Sequence, residues 1–239
     1  MEDLHQRTFK RPGIHLPGCW LVATACLSVL TILASTTHAG SSQARLELLT
    51  RDTGGNALEH VVASLHPRGK PGTAVSNDTI SIMDQRDLQF APTVLAVQVG
   101  SKVTFPNEDD VRHHVYSFSH PNAFELKLYH GETGAHQVFQ HEGVVVLGCN
   151  IHDGMLGYVR VVDTPYFATS NADGEIAMSE LPPGNYELQV WHPDIGMKVV
   201  RKSFTLKPGS SRLEMKVAVD QFNVPPPKDP HPLQSLFRD

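Results

Sequence analysis

The sequence has little cysteine, no long apolar run and no excess of basic charge, and each lack excludes something. Of three cysteines, Cys19 and Cys26 sit in an apolar N-terminal stretch and Cys149 stands alone beyond it. A mature chain with one thiol cannot carry an internal disulfide framework. The apolar stretch Cys19–Ala34 is sixteen residues, short of the roughly 20 that cross a bilayer as a helix. It follows Arg7, Lys10 and Arg11 and precedes Thr37-His38-Ala39, the pattern of a secretory signal over residues 1–39, with an uncleaved N-terminal anchor as the alternative. Removing it takes away three basic and two acidic residues, so the formal charge moves from -5 to -6. That balance gives no nucleic-acid footprint. The expected location is periplasmic or secreted, not membrane-spanning once the signal is cleaved.

Long amphipathic helices are also missing. From Gln43 onward, short apolar runs alternate with Gly, Pro and Asn turns, which is the pattern of an all-β chain in sandwich form. Arg45–Leu49 and Val61–Leu65 flank the turn Asp52-Thr53-Gly54-Gly55 and predict an opening hairpin. Residues 67–77 read as loop. Strand-length runs follow at Thr79–Met83, Val94–Val99, Val103–Phe105, Phe124–Tyr129 and Gln137–Phe139. Val144-Val145-Val146-Leu147 is apolar on both faces, so it predicts a central buried strand leading into Cys149. Tyr158–Val162 leads away again. A first unit over 43–163 and a second, smaller β unit over 165–222 are predicted, because turn-rich segments resume at Pro165. Further strands are predicted at Phe167–Ser170, Glu175–Met178, Tyr186–Trp191, Lys198–Phe204 and Arg212–Val219. Residues 223–239, with Pro225-Pro226-Pro227, predict an extended tail.

What the chain does have is a cluster of metal-ligating side chains in Cys149-Asn150-Ile151-His152-Asp153-Gly154-Met155. Soft sulfur favours Cu(I), and imidazole suits both oxidation states of copper. A thiolate, an imidazole and a thioether in one tight loop therefore predict a copper site that needs one more histidine. Arg112-His113-His114-Val115 supplies it upstream. Successive side chains of a strand point to opposite faces, so either His113 or His114 serves, and His114 shares its face with Tyr116 and Phe118, which read as core. His60, His66, His120, His130, His136 and His141 are scattered and read as surface residues. The acidic run Glu108-Asp109-Asp110 reads as a solvated loop, or as a face toward a basic redox partner.

Cys149-x-x-His152-x-x-Met155-Leu-Gly-Tyr-Val resembles the copper loop of the amicyanins, within the cupredoxin (type 1 blue copper protein) family. The likeness extends over 78–163: Phe90-Ala-Pro92 before a Val-rich strand, Gly100 before Val103-Thr104-Phe105-Pro106-Asn107, and a histidine followed closely by valine. The extra segment makes the chain look more like the predicted cupredoxins labelled methylamine-utilisation proteins. Its Asp173-Gly174 and Leu181-Pro182-Pro183-Gly184 turns resemble a transthyretin-like or carboxypeptidase-regulatory β unit. The resemblance implies a Greek-key β-sandwich and one type 1 copper held by His113, Cys149, His152 and Met155. The usual His-Asn-Val order favours His113 over His114. It further implies an electron-transfer shuttle between a redox protein donor and acceptor rather than an enzyme, and no His-x-His pair occurs to build further copper centres. A copper carrier or storage protein, and a non-redox module on a cupredoxin shell, are the alternatives.

Overall fold

The computed structural model describes residues 43–69, 80–131 and 135–219, so the signal segment, most of the 67–77 loop and the 223–239 tail lie outside the described residues. The regular structure of the described chain is almost wholly strand. The first twelve strands are β1 (Ala44–Arg51), β2 (Val62–Pro67), β3 (Ile80–Ile82), β4 (Asp84–Arg86), β5 (Gln89–Ala91), β6 (Val94–Gln98), β7 (Lys102–Thr104), β8 (His113–Ser117), β9 (Phe124–Tyr129), β10 (His136–Val138), β11 (Gly143–Cys149) and β12 (Leu156–Val162). Then come β13 (Phe167–Thr169), β14 (Glu175–Leu181), β15 (Gly184–Trp191), a single 3-10 turn at Pro193–Ile195, β16 (Val200–Leu206) and β17 (Gly209–Lys216).

The site-bearing sandwich consists of the five-stranded sheet β6-β12-β11-β8-β9 and the smaller sheet β10-β7-β3. Between them lies a cluster that includes Val97, Val103, Phe105, Val115, Phe139, Val145, Leu147, Cys149, Val159 and Val161. The prediction for Val144–Leu147 describes β11 well. Val145, Leu147 and Cys149 enter this cluster, while Val144 and Val146 pack into a second one on the other face. A strand apolar on both faces is covered on both faces, and β11 is held between β12 and β8 at the centre of its sheet.

The second cluster belongs to another sandwich, made of the sheets β14-β1-β17 and β13-β2-β15-β16. Here the structure corrects the sequence reading. Ala44–Arg51 and Val62–Pro67, assigned to the 43–163 unit, pair instead with the C-terminal strands. β1 runs antiparallel to β14 and parallel to β17, and β2 lies between β13 and β15. The physical reason is coverage. Val62, Ala63, Ser64 and Leu65 are all buried, so β2 needs neighbours on both faces, and no hairpin with β1 could provide them. The turn at Asp52–Gly55 does form, with the Asp52 carboxylate accepting hydrogen bonds from the Asn56 backbone (2.8 Å) and side chain (2.8 Å). It redirects the chain from one sheet to the other instead of closing a hairpin.

Contacts between the sandwiches join β12 and β11 to β15 and β2. Arg160, 3% exposed, bonds Glu142 at 3.0 Å and reaches Gln189 at 3.5 Å. The Tyr158 and Trp191 rings lie 5.9 Å apart. His66 on β2 meets Asp163 at 2.7 Å and Ser64 at 2.9 Å. The last two strands run slightly out of step with the sequence reading, because the turn between them falls at Lys207-Pro208.

A chain ended at Asp163 therefore loses the partners of β1 and β2 and exposes Val144, Val146 and Tyr158. We expect it to bind the dye ANS and to lose the cooperative urea transition of the full chain. An unchanged cooperative transition would show that the first sandwich stands without the second.

Candidate metal centre

The site forms where β8 begins and β11 ends. These strands are antiparallel neighbours with Cys149 opposite Val115 and Gly148 opposite Tyr116. On β8 the alternation places His113, Val115 and Ser117 inward and buried, with His113 fully so. His114 and Tyr116 face the other way, and Phe118 beyond them is 47% exposed. The reading of Tyr116 and Phe118 as core is thus reversed. The inner face carries a histidine and a serine, whereas the outer face carries the aromatic rings, so hydrophobicity does not mark the buried side of β8. Those rings pack on one another, His114 to Tyr116 at 5.8 Å and Tyr116 to Phe118 at 5.0 Å. Tyr116 also lies across Gly148, where an added Cβ would come within 2.9 Å of the ring, so no larger residue fits before Cys149 without moving Tyr116.

After Cys149 the chain turns at once: the Met155 backbone N–H donates to the His152 carbonyl at 3.0 Å. The turn brings His152 back over the strand end. Its Nδ1 lies 3.1 Å from Nδ1 of His113 and 3.6 Å from the Cys149 sulfur, and the sulfur is 3.7 Å from Nδ1 of His113. Among the described residues this is the single group of three His, Cys, Asp or Glu side chains whose ligating atoms converge. His114 does not join it, because its Nε2 is engaged by Glu125 at 2.8 Å and its Nδ1 is buried without a partner. Met155 is 2% exposed and packs in the same cluster as Cys149.

This triangle fits a metal ion. A point in its plane lies about 2 Å from all three atoms, the length of a bond from imidazole nitrogen to a first-row metal. Two unprotonated nitrogens that close repel, so something positive, a proton or a cation, belongs between them. The donor set of two imidazoles and a thiolate matches the trigonal set that copper favours.

A second layer fixes the first. Asp109 Oδ2 is 2.8 Å from Nε2 of His113, and the Asp109 carboxylate also accepts from the backbone N–H groups of Asp87 (2.7 Å) and Leu88 (3.0 Å). Burial alone would raise the Asp109 pKa, but the His113 ring and these two amides hold it below its ordinary value. Asn107 clamps the same loop, donating to the Val111 carbonyl at 2.8 Å and to that of Tyr129 at 3.2 Å. Burial pushes the Tyr129 hydroxyl up to about 12, so it stays protonated and donates to the Phe105 carbonyl at 2.6 Å. The acidic run therefore divides. Glu108 is exposed and pairs with Arg86 at 2.6 Å, Asp110 is exposed, and Asp109 turns inward. Sequence reasoning passed over Asp109. The available signal was its spacing of four from His113.

Metal-binding stoichiometry separates these roles. Mature protein should bind one Co(II) with a thiolate-to-metal absorption, which His113→Ala and Cys149→Ala remove and His114→Ala retains. Loss of the absorption in His114→Ala alone would place the site on the other face of β8.

No family model matches the sequence, and no curated protein matches it. Among solved structures, the chain is similar to the "Novel Purple Cupredoxin from Nitrosopumilus maritimus", at 25% identity over 36% of this chain and 100% of that one, with a TM-score of 0.31. It is similar to a reduced variant of amicyanin at 24% identity, over 42% of this chain and 98% of that one, TM-score 0.33. It is also similar to a copper-containing nitrite reductase from Thermus scotoductus at 25% identity, where 41% of this chain spans only 25% of that one, TM-score 0.35. The solved proteins it resembles are thus cupredoxins and a reductase, each matched over about two-fifths of the chain.

Proposed function

We propose that the mature chain is an exported electron-transfer shuttle that holds one type 1 copper on His113, Cys149 and His152, with Met155 as a weak axial ligand. The observation that supports this most is the convergence of Nδ1, Nδ1 and Sγ within 3.7 Å of one another at the buried end of a rigid sheet. Copper there would supply one-electron chemistry between Cu(II) and Cu(I). The protein's part is to keep the ligands still through that change. His113 and Cys149 are anchored at the ends of paired strands, and the Cys149 side chain lies in a packed cluster that excludes water. A small change in ligand geometry means a small reorganisation cost for each electron.

His152 is the least buried of the three ligands, so its imidazole edge is the route for electrons. Exposed apolar side chains occur on the segments that build the site: Ile151 (50%) on the ligand loop, Leu156 (45%) at the start of β12, Val111 (43%) before His113. They offer a dry contact for a redox protein donor or acceptor. A protein that gives its copper away would need ligands that open to solvent, and burial of His113 and Cys149 favours retention. No helix among the described residues is long and apolar enough to cross a membrane, and export rests on the signal-like segment 1–39.

Cu(II)-loaded protein should show an intense visible thiolate-to-copper band that Cys149→Ala abolishes. Colourless copper binding would argue against the reading. The axial position gives a second check. Met155→Gln, a harder oxygen donor, should lower the reduction potential with copper retained, and Met155→Leu should raise it. Protein-film voltammetry reads both shifts. Release of copper at each reduction would favour a carrier.

A further inference from the structure

We propose that Asp109 is a positioning residue that selects the Nε2–H tautomer of His113, and that the β4–β5 turn holds Asp109 in place to do so. The inference deepens the metal-site reading above and rests on it only for its copper readout.

A neutral imidazole carries one proton on one of two nitrogens, and only the bare nitrogen can bind a metal. His113 is fully buried, so water cannot supply partners for its ring. Its two nitrogens meet different neighbours. Nδ1 faces His152 and Cys149, whereas Nε2 faces a carboxylate oxygen at 2.8 Å. An ionised carboxylate only accepts hydrogen bonds, so the nitrogen facing it must be the one with hydrogen. Nδ1 is thereby left bare toward the other two ligands. A carboxylate also increases the donor strength of the imidazole more than a neutral acceptor would.

Asp109 is itself held from outside the loop. Asp87 and Leu88, between β4 and β5, have φ of 54° and 59°, a left-handed conformation that costs both residues energy. This conformation turns their adjacent N–H groups toward Asp109, one onto each carboxylate oxygen, at 2.7 and 3.0 Å. The Asp109 N–H in turn donates to Asn107 Oδ1 at 3.0 Å. Both carboxylate oxygens of Asp109 are therefore assigned, and the oxygen that meets His113 is fixed by an element 21 residues away in sequence. The outward edge of the same turn carries Leu88, 46% exposed.

The test needs no metal. Long-range proton–nitrogen NMR of the metal-free, uniformly labelled full chain, above the imidazole titration range, distinguishes the two tautomers of His113. Wild type should show hydrogen on Nε2. Asp109→Ala should move it to Nδ1, where His152 Nδ1 at 3.1 Å is the acceptor. The Asp87 and Leu88 amides are at an exposed turn and can take water instead, so the variant should fold. Asp109→Leu, which keeps the shape without the acceptors, is read the same way should the alanine variant fail to fold. Copper affinity should fall about 10- to 100-fold in either variant, because Nδ1 must lose its hydrogen before it can bind. Hydrogen on Nδ1 in wild type, or on Nε2 in a folded variant, would overturn the proposal. A tautomer switch in a protein that shows no thiolate-to-copper band would uphold the role of Asp109 while sinking the copper reading. A blue protein whose tautomer ignores residue 109 would do the reverse.

Discussion

Two imidazole nitrogens 3.1 Å apart beside a thiol sulfur, with His113 and Cys149 buried and His152 partly so, form an arrangement that does not hold itself together. The lone pairs repel, and burial denies the His113 ring solvent. Such a cluster persists only where the surrounding structure over-determines it, and here each member is fixed by a different device. Cys149 is fixed by strand pairing, His113 by pairing and by Asp109, and His152 by the tight turn closed between Met155 N–H and its own carbonyl. Close approach of the three donors is the constraint from which the rest of the sandwich follows.

The second sandwich backs the sheet that carries the site. The five-stranded sheet that delivers both strand-borne ligands is packed on its inner face by Val145 and Leu147 and on its outer face by Val144 and Val146. A sheet free on one side can flex about its long axis, but one covered on both sides resists it. Arg160 is buried with its charge matched by Glu142 and with further hydrogen bonds to the Val161 carbonyl and Gln189, so it ties β12 to β15. The Glu142 side chain is 36% exposed, so the pair adds little net stability, but losing it leaves the buried Arg160 guanidinium without its anionic partner. It therefore penalises sliding of one sandwich over the other.

Much of the site was legible because the chemistry is local. Cys149, His152 and Met155 lie within seven residues, and the apolar run before them has no polar face, so both the ligand loop and its central strand could be read directly. What is long-range was not legible. Nothing in Leu46, Leu48 or Val62–Leu65 states which of two sandwiches they complete, since either could use an apolar strand, and the structure places both in the C-terminal one. On β8, hydrophobicity pointed to the wrong face. This strand buries a histidine and a serine and leaves aromatic rings on its other face, which inverts the rule that hydrophobic side chains mark the inner face. Asp109 was hidden for the same reason: flanked by Glu108 and Asp110, it looks like a solvated charge, and only the backbone geometry of Asp87 and Leu88 turns it inward.

The proposed reading is one copper held by the Cys149 thiolate and the imidazoles of His113 and His152. Electron paramagnetic resonance of the Cu(II)-loaded mature protein tests this most directly, because delocalisation of the unpaired electron onto sulfur shrinks the copper hyperfine splitting. A single copper signal with a small parallel splitting is expected, and the splitting should become large in Cys149→Ser. A large splitting in the wild type, as in tetragonal nitrogen and oxygen coordination, would contradict it.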